Sequence, residues 1–261
     1  MPKVKLGSKI WVNLMLFGFT GQIAWAIENI YFNTFLFNYI GATTADISVM
    51  VACSAATAVV TTFLMGTLSD KLGRRKVFIC AGYILWGFTV MAFAFISREN
   101  TAELFRITDS AKVVAATVSI VIIMDCVMTF MGSTSNDAAF NAWVTDVTVP
   151  QNRGTAEGIL SAMPILATLI VTVAFGAGVA AAGYPACFLA LGVFVTLCGI
   201  AGLLTLKESG NKITKKDNYF GELVYGFRLS VIRENSRLYL ALASVCIFST
   251  AVQIFMPYVF L

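Results

Sequence analysis

The chain contains 261 residues, of which 58% are hydrophobic and only 12% are charged, and its mean hydropathy is +0.82. This composition excludes an ordinary soluble domain, in which roughly 25% of residues are charged, and predicts an all-α integral membrane protein. The net charge of +4 does not indicate a nucleic-acid partner, because the cations lie between apolar stretches of about 20 residues or more, the length that crosses a bilayer.

Apolar stretches predict seven membrane spans along the chain. We place them at 11–38, 45–68, 77–97, 112–143, 155–181, 184–206 and 237–261. The basic N-terminus, MPKVKLGSK, resembles the start of a signal peptide. The apolar run behind it is too long and carries no small-residue cleavage pattern, so we expect a first span that is retained.

The distribution of Lys and Arg predicts the orientation of the chain. Of the 18 cations, all except Arg98, Arg106 and Lys112 lie in the N-terminal tail or in loops on the same side as that tail. Because positive charge accumulates in cytoplasmic loops, we expect a multi-pass protein of the cell membrane with its N-terminus in the cytoplasm.

The first span carries a polar stripe within an apolar helix. The stripe consists of Gln22, Trp25, Glu28, Asn29 and Asn33. A carboxylate near the bilayer centre costs about 3 kcal/mol on insertion scales, so Glu28 needs a partner, a water-filled cavity or a proton. We predict that Glu28 binds a proton or a cation, and that the amides and the Trp25 ring contact a ligand with hydroxyl groups.

The segment between the second and third spans, GTLSDKLGRRK, runs from Gly66 to Lys76. Gly66 and Gly73 predict a tight turn, and the cations predict an anchor at the membrane surface. The segment matches the pattern G-x-x-x-D-[RK]-x-G-R-[RK]-[RK] at every constrained position. It therefore resembles the signature loop of the major facilitator superfamily. That resemblance implies a latch at the cytoplasmic face, formed by Asp70, Arg74 and the neighbouring Arg75.

The resemblance also implies that Asp146, at the end of the fourth span, is the ionic partner of Arg74. Within the fourth span, a second polar stripe contains Asp125, Thr129, Gly132 and Asn136, with Asp137 closer to the cytoplasmic end. We predict that Glu28 and Asp125, each near the middle of its span, couple transport to a cation, and that the other residues of the two stripes contact a sugar-like substrate. Small and polar residues also hold helices together in lipid, so substrate binding and helix packing both stay open for the two stripes. Glu157, expected in the first turn of the fifth span, is predicted to stabilise that helix end.

Two further segments sharpen the resemblance. GQIAWAIENIYFNTFLFNYIG, from Gly21 to Gly41, is similar to the first span of sugar carriers related to sucrose transporters and to the glycoside, pentoside and hexuronide cation symporters. The region from Ile122 to Gly154 is similar to the fourth span and following loop of bacterial members of that group. This similarity implies coupled sugar uptake by alternating access, without an organic cofactor. The coupling ion stays open, because a carboxyl group can hold a proton, whereas carboxylate and carbonyl oxygens can hold Na⁺.

Six spans at 1–206, a basic loop at 207–236 and a further span at 237–261 correspond to the first half of such a transporter. We expect a second bundle, missing from these 261 residues, to complete the substrate site. The loop contains the amphipathic segment Tyr219–Ile232, which is predicted to lie on the membrane surface. The seventh span is expected to pack loosely against the bundle.

Several other functions stay open at this stage. A proton-coupled exporter of drugs or metabolites is disfavoured, because Pro164 in the fifth span lacks the flanking glycines usual in such exporters. A nonfunctional fragment is a further alternative. A seven-helix receptor is disfavoured by the charge bias, and a retinal protein by the absence of lysine from the seventh span. A membrane-embedded enzyme or a metal site is disfavoured, because the chain has no histidine and its six cysteines lie in apolar spans without C-x-x-C spacing.

Overall fold

The computed structural model describes residues 6–208 and 224–259, and these residues form helices and no strands. Six helical stretches are long and apolar enough to cross a membrane. They are Ser8–Ile40, Thr44–Leu72, Arg75–Phe95, Ser110–Val147, Pro150–Thr205 and Ser236–Tyr258. The prediction of an all-α membrane fold is confirmed.

The stretch Pro150–Thr205 contains two spans. It has 56 residues, which would form a helix of about 84 Å at 1.5 Å per residue, whereas the apolar core of a bilayer is about 30 Å thick. The helix breaks at Gly183, whose φ of 78° and ψ of 169° are far from helical values. A positive φ of this kind is readily adopted only by glycine.

Side-chain contacts show that the chain reverses at this break. Before it, Leu160 lies against Gly18, and the Tyr31 hydroxyl donates a hydrogen bond of 3.1 Å to the carbonyl of Thr172. In these contacts, residue numbers rise together in the two segments. The part of the chain before Gly183 therefore runs parallel to Ser8–Ile40.

After the break, the order is inverted. The ring of Phe188 lies 5.0 Å from that of Phe32, and the Thr205 hydroxyl donates to the Asn13 side chain over 2.7 Å. The described residues therefore contain seven spans. We number them 1 to 7 in chain order, with span 5 at 150–182 and span 6 at 184–205.

Three of the spans contain wider π-helical turns, in which the hydrogen bonds join residues five apart; such turns are rare and are frequent at functional sites. They occupy Glu28–Phe32 and Phe35–Ile40 in span 1, Ser133–Phe140 in span 4 and Val171–Phe175 in span 5. The α-helical parts of these spans are Ser8–Ile27, Ser110–Gly132, Asn141–Val147, Pro150–Ile170 and Gly176–Thr205, with the break at Gly183 in the last. Shorter elements are α-helices at Arg98–Phe105 and Leu229–Glu234 and 3₁₀ turns at Phe93–Phe95, Tyr225–Phe227 and Met256–Tyr258.

Capping residues define several helix ends. Thr43 and Asp46 exchange hydrogen bonds in a capping box at the start of span 2, and the Asp109 side chain accepts backbone N–H groups at the start of span 4. Gly73 ends span 2 with a φ of 62°, as expected for a glycine after a helix. Gly66 lies inside the same helix, so the prediction that places it in the turn is wrong.

The core of the bundle lies where spans 1, 3, 4 and 6 meet. A Cβ atom on Gly87 of span 3 would lie 2.5 Å from the carbonyl oxygen of Gly192 of span 6, so these helices approach as closely as only glycine allows. The buried rings of Phe32, Phe93 and Phe188 pack together toward one end, with the first two centroids 4.3 Å apart. Mutual packing of small and aromatic side chains therefore fixes the positions of the polar stripes.

The two ends of the bundle differ in charge. We call one of them the basic end. It carries Lys9, Lys71, Arg74, Arg75, Lys76, Arg153 and Lys207.

Span 5 begins at Pro150, earlier than expected, so the exposed Glu157 is the eighth residue of its helix. Its prediction as a first-turn acid is therefore wrong.

Span 7 is the least buried of the described membrane spans. No residue of Ser236–Phe255 is buried, which agrees with the expected loose packing. At its end, the hydroxyls of Tyr258 and Ser48 are 2.6 Å apart.

Of the predicted amphipathic helix, residues 219–223 lie outside the described residues. The remainder is not one helix, because Arg228 is extended between a 3₁₀ turn and a short α-helix. The division into a bundle, a loop and the start of a second bundle stays a prediction.

Candidate functional site

Spans 1, 2, 4 and 7 surround a cavity of about 310 Å³, which we call the acidic cavity. Three carboxylic acids line it, Glu28, Asp125 and Asp137. Among the residues that the structure describes, no Lys or Arg contributes to the lining. The remaining lining includes Trp25, Asn29, Asn33, Ser54, Thr129 and Gln253.

Glu28 lies at the centre of a hydroxyl cluster. The hydroxyls of Ser54 and Thr129 lie 3.1 Å and 3.2 Å from the same Oε1 atom, and 2.7 Å from each other. Because each hydroxyl has a single proton, the two cannot both donate to Glu28 and to each other. This cluster ties span 1 to spans 2 and 4 at one carboxylate oxygen.

Two carboxylate oxygens in this cavity have no hydrogen-bond partner among the residues that the structure describes. Oε2 of Glu28 and Oδ1 of Asp125 are both buried, and neither atom accepts a hydrogen bond from the described part of the chain. Asp125 itself is only 1% exposed. A buried, unpaired acceptor costs about 1–3 kcal/mol, and more when it is charged, so these two oxygens favour the arrival of a proton or a metal cation.

Asp137 is better satisfied than the other two acids. Its Oδ2 accepts from the Ser133 hydroxyl over 2.9 Å, and its Oδ1 accepts from the Asn136 amide over 3.3 Å. The side chain of Trp25 also hydrogen-bonds to it. Asp137 therefore lies in the wall of the cavity as a positioned acceptor.

A second cavity of about 240 Å³ adjoins the first, between spans 1, 5 and 7. We call it the amide cavity, because Gln22, Asn29 and Gln253 line it together with Thr168. Trp25, Asn29 and Gln253 line both cavities. No acidic or basic residue of the described chain faces the amide cavity.

A cluster of charged groups joins spans 2, 3 and 4 at the basic end. The Arg75 side chain is only 10% exposed and pairs with both Asp70 and Asp146, with its Nε 3.2 Å from Asp146 Oδ2. Its Nη1 donates to the Ser69 hydroxyl over 2.6 Å. The neighbouring Arg74 is exposed. The prediction that Arg74 pairs with Asp146 is therefore wrong, because Arg75 makes this contact.

Comparison with known proteins agrees with this architecture. The sequence model of the Major Facilitator Superfamily matches residues 14–261. The chain belongs to this superfamily. No curated protein and no solved structure matches it. As a member of the superfamily it is a secondary transporter, embedded in a lipid bilayer, that moves a small molecule.

The structure of the transporter brings most of the predicted site residues together. Trp25, Glu28, Asn29, Asn33, Asp125, Thr129 and Asp137 line the acidic cavity. Gln22 lines the amide cavity instead. The roles assigned to these residues stay predictions, but their convergence from two distant spans on one cavity is a structural fact.

Asn136 lies elsewhere, so its prediction as a cavity residue is wrong. It is 4% exposed, and its Oδ1 accepts from the Tyr83 hydroxyl over 2.9 Å. A Cβ atom on Gly21 would collide with this amide. Asn136 therefore packs spans 1, 3 and 4 together, as the helix-packing alternative supposed.

Three polar residues of the two cavities are absent from the sequence-based prediction, namely Ser54, Thr168 and Gln253. Ser54 contributes one of the two hydroxyls at Glu28, and Gln253 of span 7 lines both cavities. A single serine in an apolar helix commonly bonds to its own backbone, so Ser54 carried little signal. Gln253 is a stronger signal, because an amide inside a span is unusual and indicates a cavity.

Proposed function

We propose that the transporter is a symporter in which H⁺ or Na⁺ binds at the acidic cavity and drives the uptake of a small neutral substrate, such as a sugar. The observation that carries the proposal is the pair of buried oxygens, Glu28 Oε2 and Asp125 Oδ1, for which the described residues supply no hydrogen-bond partner. They lie on facing spans, in a cavity to which no Lys or Arg of the described residues contributes. A bound cation would give both oxygens a partner and would link span 1 to span 4.

The substrate is proposed to bind in the amide cavity. Amide side chains donate and accept hydrogen bonds without carrying charge, which suits the hydroxyl groups of a sugar. The indole of Trp25 offers an apolar face to a sugar ring. The amide cavity has a volume of about 240 Å³, which is below the range of about 300–1,000 Å³ that is typical of pockets for drug-sized ligands. It therefore suits a ligand with a single ring.

Coupling follows from the residues that the cavities share. Asn29 contributes to both, and its Nδ2 donates to the Trp25 carbonyl over 2.7 Å, next to Glu28 in the π-helical turn. A cation that draws Glu28 and Asp125 together would therefore shift the groups that contact the substrate. Binding of one ligand would then change the affinity for the other by the same factor in both directions.

For the whole protein, we propose alternating access in the cell membrane, with the basic end in the cytoplasm. The excess of Lys and Arg at that end supports this orientation. The Arg75 cluster with Asp70 and Asp146 is proposed to stabilise the state that is closed at this end. A second helix bundle is proposed to cover the cavities from the other side, because transporter sites of this kind lie between two repeats.

A cation exporter is the second candidate. Three acids and an indole around one cavity would also suit an organic cation, which can stack on Trp25 while a carboxylate balances its charge. The two candidates differ in what the acidic cavity holds. In a symporter it holds the coupling ion alone, whereas in an exporter it holds the transported molecule.

The test uses membrane vesicles from cells that express the transporter, with labelled sucrose, melibiose and tetraphenylphosphonium as probes. We expect Glu28→Gln and Asp125→Asn to abolish uphill sugar accumulation under an imposed H⁺ or Na⁺ gradient while sugar exchange without a gradient persists. Glu103→Gln, an exposed acid on the helix Arg98–Phe105, is the matched control. Normal accumulation in both cavity variants would exclude the coupling role. Tetraphenylphosphonium transport that depends on Glu28, without sugar transport, would favour the exporter.

A further inference from the structure

A third cavity, of about 320 Å³, lies at the basic end between spans 1, 4 and 6. It shares no residue with the acidic or the amide cavity. Four charged residues line it, Lys9, Lys207, Asp146 and Glu208. We call it the basal cavity.

Both acids of the basal cavity already have partners. Asp146 accepts from the buried Arg75 over 3.2 Å. The carboxylate oxygens of Glu208 lie 3.2 Å and 3.4 Å from the backbone nitrogen of Lys76, in the first turn of span 3. A helix start has N–H groups without internal acceptors and a partial positive charge, so this carboxylate caps span 3 from a distant part of the chain. Both carboxylates of this cavity therefore already accept hydrogen bonds from the protein.

The lysines and the tryptophan of the basal cavity, in contrast, have no such partner among the described residues. In the described ranges, no carboxylate forms a salt bridge with Lys9 or Lys207, since the ion pairs found there both belong to Arg75. Trp143 also lines the cavity and carries an indole N–H. It is 2% exposed, and its buried Nε1 has no acceptor within those ranges. An unsatisfied buried N–H costs about 1–3 kcal/mol, which a ligand that supplies an acceptor would recover.

We propose that the basal cavity binds a phosphate group. Two ammonium groups and an indole N–H are all donors, and a phosphate offers several strong acceptor oxygens with at least one negative charge. The phosphate can belong to a soluble phosphate compound or to the headgroup of an anionic lipid. Because Asp146 lines this cavity and binds Arg75, the ligand would act on the cluster that joins spans 2, 3 and 4. The site would thus regulate the transporter without contacting the transported molecule.

The test measures binding directly, so it does not depend on transport. The purified chain in detergent is titrated with inorganic phosphate at constant ionic strength, with chloride as the comparison anion, and ligand binding is followed by calorimetry and by the thermal unfolding temperature. In a second arm, the chain is placed in nanodiscs of phosphatidylcholine with and without phosphatidic acid. The variants are Lys9→Gln, Lys207→Gln, their combination and Trp143→Phe, with Lys112→Gln at the opposite end as the matched control.

We expect phosphate or phosphatidic acid to raise the unfolding temperature of the parent chain and of Lys112→Gln. An exposed ion pair contributes up to about 1 kcal/mol, so each cavity lysine variant should weaken binding by up to about fivefold and the combination by up to about 25-fold. Trp143→Phe keeps the aromatic bulk, and its unfolding temperature without ligand shows whether it folds normally. A response to phosphate identifies the soluble source, and a response to phosphatidic acid alone identifies the lipid. An equal response to chloride, or equal binding by the lysine combination and the control, overturns the proposal. Retained binding by the lysine combination with lost sugar accumulation in Glu28→Gln would refute this site alone and leave the symport mechanism standing.

Discussion

Replacing Arg75 with alanine should destabilise the transporter strongly, whereas the same change at the adjacent Arg74 should not. Arg75 is buried to 8% exposure, and it is held by Ser69, Asp70 and Asp146. Arg74 has the same chemistry, follows Gly73 directly and is exposed. The two positions thus form a matched pair, because the charge lost from the loop is identical.

The magnitude follows from the exposure of each partner. Asp70 has a 60% exposed side chain, so its ion pair contributes at most about 1 kcal/mol. Asp146 is 20% exposed, and loss of its partner leaves a partly buried carboxylate, for which the cost approaches but does not reach the 3–5 kcal/mol of a fully buried pair. We expect Arg75→Ala to lower the free energy of unfolding by about 2–4 kcal/mol in total.

The assay is reversible unfolding in mixed micelles with increasing dodecyl sulfate, combined with a double-mutant cycle. Asp146→Asn is made alone and together with each arginine variant. We expect a coupling energy above about 1 kcal/mol between Arg75 and Asp146, and none measurable between Arg74 and Asp146. Equal destabilisation by the two arginine variants, or a larger coupling for Arg74, would refute the assignment of the buried partner.

Two further predictions concern the packing of spans 1, 3 and 4. Gly21→Ala should lower the unfolding temperature, because the added Cβ would lie 2.7 Å from the Tyr83 hydroxyl and closer still to Asn136. Overpacking of this kind costs about 1–3 kcal/mol. The control is Gly158→Ala, whose added Cβ meets no neighbouring atom within 4 Å and should stabilise its helix by about 0.5–1 kcal/mol. Tyr83→Phe should cost about 1–3 kcal/mol, because the hydroxyl that lies 2.6 Å from the Phe17 carbonyl and 2.9 Å from Asn136 is lost and a buried acceptor stays unpaired. An increase in stability for Gly21→Ala, or an unchanged unfolding temperature for Tyr83→Phe, would contradict the packing described for this region.

The spans were predictable because bilayer thickness imposes a length and an apolar character that single residues rarely disturb. Span 6, expected at 184–206, ends at Thr205, and span 3, expected at 77–97, covers Arg75–Phe95. Intramembrane acids were equally visible, since their cost makes them rare. That cost is sufficient to predict Glu28 and Asp125 as site residues, and both line the same cavity.

The prediction for Asn136 failed because it assumed a regular α-helix. Asn136 is 11 residues after Asp125, close to three full α-helical turns, which would place both on one face. The π-helical segment Ser133–Phe140 widens these turns, so that Asp137 reaches the cavity and Asn136 points to Tyr83. No simple residue pattern indicates such a segment.

The choice between Arg74 and Arg75 was beyond the signature pattern for a similar reason. Both satisfy it, and adjacent residues point in different directions. Arg74 has non-helical backbone angles, φ −116° and ψ 62°, after the left-handed Gly73, and the helix of span 3 begins at Arg75. The turn geometry therefore decides which arginine faces Asp146, and that geometry depends on tertiary packing.

The reversal at Gly183 bears on how the chain enters the membrane during synthesis. Spans 5 and 6 are joined by a break at a single residue, and between Arg153 and Lys207 the only charged residue is Glu157. The tip of this hairpin, Ala182-Gly183-Tyr184, therefore carries no charge across the bilayer. The two helices can enter the lipid together as one preformed hairpin, with Arg153 and Lys207 retained on the side of origin. Adding a lysine at this tip would then interfere with biogenesis before any effect on the folded transporter.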